Sequence, residues 1–148
     1  MATTPRIGFF VKQHYLKDLS FENPTGPISV EEAQALRVGV AGNVLSRPLA
    51  EKNQFRVETT LTVTGRDEQQ VRFISELTYA ADVMLSNIPA PVQEQTLCVD
   101  VPDFLIQHIN AVIDHAARAG GLPALRVENI NFLALYKQGR ARRAAGTT

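Results

Sequence analysis

Two facing runs of alternating side chains set the strongest limit on what this chain can fold into. Phe55, Val57, Thr59, Leu61 and Val63 take every second position, with Arg56, Glu58, Thr60, Thr62 and Thr64 between them. After Gly65-Arg66-Asp67-Glu68 the period resumes in Val71, Phe73, Ser75, Leu77 and Tyr79. A period of two puts one set on each side of a strand, and a short Gly-containing link between two such runs predicts a hairpin. Both arms exceed the usual ~5–6 residues of a strand. The returning arm's other side carries Arg72, Ile74, Glu76 and Thr78, so Ile74 is an apolar side chain on a polar face.

Two further strands precede the hairpin. Ile7 to Phe21 is rich in aromatic and β-branched residues, and a slip in its alternation between Lys12 and Tyr15 predicts a bulge. Asn23-Pro24-Thr25-Gly26-Pro27 then forces the chain out of the sheet, and Ile28 to Ala35 reads as a crossover loop with a short helical turn. Leu36, Val38 and Val40 predict another strand, broken later by Gly42 and Pro48. The second half is helical. Val92 to Val101 forms one stretch, Pro102 interrupts or restarts it, and Leu105, Ile109, Val112, Ile113 and Ala116 continue it with an amphipathic spacing. Gly120-Gly121 and Pro123 end it, and a short last helix starts after the N-cap Asn131 with Phe132, Leu135 and Tyr136.

The fold class is therefore α+β: a four-stranded antiparallel sheet, a long interrupted helix and a short C-terminal helix. A single domain spans 1–148, with an ordered core of about 8–137 and a basic, disordered tail at 138–148 containing Arg140, Arg142 and Arg143.

Chemistry is sparse. Cys98 is the one cysteine, which excludes an internal disulfide and a Cys-based zinc site within one chain, and it has no base beside it. His108 and His115 are two helical turns apart, about 10 Å, too far to share a metal. His14 has no obvious partner. No Gly-rich phosphate loop opens a helix. No catalytic residue, metal or cofactor is expected. Lys+Arg 15 against Asp+Glu 15 argues against a nucleic-acid partner. No apolar window is long enough for membrane insertion, and Met1 to Gly8 does not read as a secretory signal, so a cytoplasmic protein is expected.

What remains is surfaces. In Tyr15-Leu16-Lys17-Asp18-Leu19-Ser20-Phe21-Glu22-Asn23-Pro24, Leu19 and Phe21 alternate with Asp18, Ser20 and Glu22. Asp18 and Glu22 thus share a strand face, and Glu76 with Ile74 joins them if both strands lie in one sheet. On pattern alone this is the ordinary solvated side of an antiparallel sheet; the sharper reading is a docking patch for a basic partner.

Three stretches together resemble the protein-export chaperone family SecB. They are Tyr15 to Pro24; the hairpin, with Phe55 to Thr64 and Phe73-Ile74-Ser75-Glu76-Leu77; and Gly120-Gly121-Leu122-Pro123-Ala124-Leu125 followed by Asn131-Phe132-Leu133-Ala134-Leu135-Tyr136. The resemblance implies a homotetramer, built as a dimer of dimers, that holds unfolded preproteins in the cytoplasm without ATP and delivers them to the SecA motor. In the family, carboxylates and an apolar residue on the flat sheet face meet SecA's basic, zinc-holding C-terminal segment. Asp18, Glu22, Ile74 and Glu76 match those positions, and the resemblance makes docking the favoured reading for them. It also places a client groove where the crossover loop and second strand meet the C-terminal helices, with Leu36, Val38, Val40, Phe132, Leu135 and Tyr136 as its candidates. The long helix from Val92 is the expected oligomer surface by the same analogy. A nearer variant is a SecB-like chaperone dedicated to one partner, such as a toxin–antitoxin pair. The alternative from another class is a small-ligand-binding or isomerase-like α+β domain with a pocket between sheet and long helix.

Overall fold

The alternation of the hairpin becomes the centre of a four-stranded antiparallel sheet. The computed structural model describes residues 8–127 and 130–146. The strands are β1 (Gly8–Glu22), β2 (Arg37–Pro48), β3 (Gln54–Arg66) and β4 (Val71–Ser86), in the order β1-β4-β3-β2. The expected start of β1 at Ile7 lies outside the described residues. The β3–β4 register sets Leu61 beside Leu77 and Val63 beside Ser75, so the apolar set predicted for each arm shares one face. Asp67 secures the turn: its Oδ1 accepts from the N–H groups of Gln69 and Gln70 at 2.8 and 2.9 Å. Those bonds favour the carboxylate and hold Asp67 below its ordinary range.

β1 carries two register shifts against β4, one between Val11 and Gln13 and one between Leu16 and Asp18. The single slip expected from the sequence is thus two, with Lys12 and Lys17 the residues passed over. β2 departs from expectation in the other direction, since it runs unbroken through Gly42. A Cβ at Gly42 would lie 2.5 Å from the Thr60 carbonyl oxygen and 2.7 Å from Leu61 Cδ2. The glycine therefore permits close strand contact instead of ending it. Between β1 and β2 lies α1 (Val30–Gln34), opened by a capping box of Ser29 and Glu32.

The helical half begins with α2 (Ala90–Gln95), widens into a π-helical turn (Thr96–Asp100), and continues as α3 (Val101–Phe104) and α4 (Ile106–Ala119). Pro102 restarts the helical path, one of the two roles open to it in the sequence. It sits in the first turn of α3, next to the π turn, and the helical path breaks at Leu105. α5 (Phe132–Gly146) starts where Asn131 Oδ1 accepts from the Ala134 N–H at 2.9 Å. It is longer than the short helix expected: residues 138–146, assigned to a disordered tail, are helical, and 147–148 lie outside the described residues.

The helices cover one side of the sheet. α4 buries Ile109, Ile113, Ala116 and Ala117, the π turn buries Thr96, Leu97 and Cys98, and α5 buries Phe132 and Tyr136. They close over Val57, Leu61, Val63, Phe73, Leu77 and Val83 in one core. Ser75 lies within this core, and its hydroxyl has no hydrogen-bond partner among the described residues.

Candidate functional site

The uncovered side of the sheet gathers the four sequence candidates. Glu22 pairs with Ile74, Ser20 with Glu76 and Asp18 with Thr78. Directly paired residues of antiparallel strands point to the same face, so Asp18, Glu22, Ile74 and Glu76 stand together on the open one. Asp18 and Glu22 are four residues apart on β1, roughly 13 Å, and Glu76 lies between them one strand away. Asp18, Glu22 and Glu76 are exposed and Ile74 is half-buried. None of the three carboxylates has an ion pair with a described residue.

Neighbouring groups keep this strip open. Thr62 Oγ1 donates to Glu76 Oε2 at 3.1 Å, and Thr60 bonds Thr78 through their hydroxyls at 3.0 Å. Sequence reading missed Thr62 because its role depends on cross-strand register. Arg72, two residues before Ile74, would otherwise offset the strip's charge. Its guanidinium is held instead by Glu32 at 2.8 Å and Asp67 at 3.2 Å, and it donates to Thr25 Oγ1. Lys17, passed over by the register, pairs with Glu58 at 2.8 Å. Farther along the same face, Arg56 grips buried Asp82 through two bonds of 2.7 and 2.9 Å, and Gln13 adds a third at 2.7 Å. Arg56 beside it, and then Gln13, hold the Asp82 carboxyl below its usual range against the opposing effect of burial.

The groove candidates divide. Val40 and Leu135 come together in an apolar hollow of about 280 Å³ where β2 meets the chain leading into α5. Val127, Ile130, Asn131, Ala134 and Gln138 complete its lining. Phe132 and Tyr136 are 2% and 5% exposed and belong to the core beneath. Leu36 is half-buried against the core, and Val38 is exposed on β2 outside this hollow. Val127 and Ile130 carried no sequence signal because they sit in irregular chain that only the fold brings to β2.

Other chemistry-bearing groups have structural settings. Cys98 is buried and its thiol is pushed up by that burial, which disfavours the thiolate a nucleophile needs. His14 bonds Tyr79 Oη at 2.6 Å and its ring lies 4.4 Å from that of His108. Phe9 and Phe104 meet edge to face nearby, with Phe104 and Phe10 largely exposed. Among the described residues no three His, Cys, Asp or Glu side chains are placed to share a metal ion, and no helix is long and apolar enough to cross a membrane. The region between β4 and α4, where a small-ligand domain would keep its pocket, is occupied by core side chains including Leu77, Val83, Ile109 and Ile113.

Comparison with known proteins agrees with this layout. The family described as preprotein translocase subunit SecB matches residues 2–143. Protein-export protein SecB of Bordetella pertussis is 38% identical over 136 residues, covering 92% of this chain and 77% of that protein. The protein of the same name from a Bradyrhizobium species is 35% identical over 138 residues, covering 91% and 83%. Among solved structures, a SecB-like chaperone of Mycobacterium tuberculosis, in complex with a peptide from an antitoxin, aligns with a TM-score of 0.67. It is 15% identical, and the alignment covers 83% of this chain and 91% of that one, a likeness of fold. The chain belongs to the SecB family of protein-export chaperones.

Proposed function

We propose that this chain is an ATP-independent cytoplasmic chaperone that holds unfolded preproteins and passes them to the SecA motor, working as a homotetramer built from two dimers. The observation that carries the reading is the division of labour between the two sides of the sheet. The open face bears a carboxylate strip around Ile74, suited to a basic partner segment. The covered side has an apolar hollow at its β2 margin, suited to side chains of an extended client.

Each apolar anchor buried in such a hollow contributes roughly 1.5–3 kcal/mol before the client's ordering cost is subtracted. A single hollow therefore binds weakly. Four protomers raise the local concentration of hollows for every segment of a long chain, and avidity makes the hold durable. A folded protein cannot present several apolar segments together and is passed over. The exposed Phe104 on α3, which meets Phe9 of β1 edge to face, supports an assembly surface along the long helix.

Charge reversal tests the docking half of this reading. Asp18→Lys or Glu76→Lys should weaken SecA binding by roughly tenfold or more while the delay of client refolding persists. Equal loss of both activities would overturn the assignment of the strip. Native mass tests the assembly, with four times the 16.3 kDa chain expected.

A further inference from the structure

We infer that Asn110 is a positioning residue that fixes the width of the client groove from outside it. The inference rests on the reading of the apolar hollow as that groove.

Asn110 is a buried polar side chain on α4, 8% exposed. Its Nδ2 donates to the Val127 carbonyl at 3.0 Å, and its Oδ1 accepts from the Val127 N–H at 2.9 Å. One side chain thus makes both bonds that a neighbouring strand would make to Val127. Asp114 repeats the device one turn later: its Oδ1 accepts from the Leu125 N–H at 2.8 Å, and Oδ2 accepts from Arg118 Nε. The Leu125 bond helps to hold the Asp114 carboxyl below its ordinary range. The spacing explains the match. Four helical residues rise about 6 Å, and two residues of extended chain span roughly 6.6 Å. Positions 110 and 114 therefore meet backbone groups 127 and 125 in step.

The held segment matters because of what lies on either side of it. Val127 is a wall of the apolar hollow. Toward α4, residues 124–126 border a second cavity of about 500 Å³, with Gln107 and Ala111 opposite. Space therefore exists for the segment to move away from β2. The Asn110 side chain opposes that movement at Val127: it stands between α4 and Val127 as a spacer, bonded at 3.0 and 2.9 Å, so the segment cannot sink toward α4 while both bonds are kept. Groove width, and with it the size of client side chain that fits, is set by a residue that does not line the groove.

The test uses the full chain and synthetic peptides of one frame whose central anchor is Ala, Val, Leu or Phe. Asn110→Asp is nearly isosteric and keeps an acceptor for the Val127 N–H, but its carboxylate cannot donate to the Val127 carbonyl. Asn110→Ala removes both bonds. The wild type should release these peptides at rates that depend on anchor size. In Asn110→Ala, which removes the spacer, the preference between Val and Phe anchors should shift at least fivefold toward Phe. In Asn110→Asp, whose second oxygen repels the Val127 carbonyl toward β2, it should shift toward Val. Amide exchange at Val127 should accelerate at least tenfold in both. Asp114→Asn, which keeps an acceptor at Leu125, should leave the preference unchanged. Uniform weakening of all four peptides, or an unchanged preference despite faster exchange at Val127, would overturn the inference. Should either Asn110 variant fail to fold, the other is read by the same criteria. Failure of the wild type to hold any of the peptides would instead remove the groove reading itself.

Discussion

β1 and β2 border the same sheet and meet the same hazard in different ways. An unpaired edge offers backbone donors and acceptors to any extended chain. β1 answers with charge and irregularity: its two register shifts fall at Lys12 and Lys17, and most of the strand is exposed. β2 answers with cover. α5 packs against it, and a Cβ at Gly139 would come within 3.2 Å of Asn43 Oδ1. The contrast teaches that an edge can be guarded by side chains alone, or by a helix whose close approach depends on glycines. The second solution also creates a margin where an apolar hollow can form, at Val40 and Leu135.

Substitution at Gly42 should break the contrast most severely. Any side chain there meets the β3 backbone, so Gly42→Val should cost about 3 kcal/mol in urea unfolding. A loss below about 1 kcal/mol would mean that β2 does not need its close approach. On the β1 side, Arg56→Met leaves Asp82 buried with Gln13 as its remaining side-chain partner and should cost about 2 kcal/mol. The pH dependence has a definite sign. Asp82 has a lowered folded-state value, so its contribution is complete above the unfolded value near 3.8 and is lost as pH falls through the folded one. The gap between wild type and variant should be constant from pH 5 to 8 and shrink below about pH 4. Smallest in stability is Lys17→Ala, expected within about 0.5 kcal/mol. Its signature is instead concentration-dependent aggregation, and a variant that stays as dispersed as the wild type would show that the lysine does not guard the β1 edge.

The open face was more legible in the sequence than the apolar hollow, for a physical reason. Asp18, Glu22, Ile74 and Glu76 lie on strands, where a period of two fixes the face of every residue once the register is known. The wall of the hollow has no such period. Val127 and Ile130 occupy irregular chain, and their place depends on bonds from Asn110, seventeen residues earlier, and on packing near α5. The same distinction separates the other successes and misses. Asn131 was readable as a cap because capping is local. Gly42 was misread as a breaker because its function lies in contact with β3, and α5 ran beyond expectation because arginine-rich sequence is compatible with both helix and tail. Arg143 reaches Glu94 on α2 at 3.5 Å, a tie across about fifty positions that composition cannot reveal.

The π turn at Thr96–Asp100 has a consequence for how much change the helical half can absorb. β2 and α5 pack on that turn, whereas α4 packs on β4. A π turn carries one residue more than an α turn, so deleting one residue there would relax it to α geometry and leave Ile109 and Ile113 facing the sheet. Length is therefore most easily shortened within those five positions: the widened turn stores one spare residue, like slack in a belt, between the surface that meets β2 and α5 and the surface that meets β4.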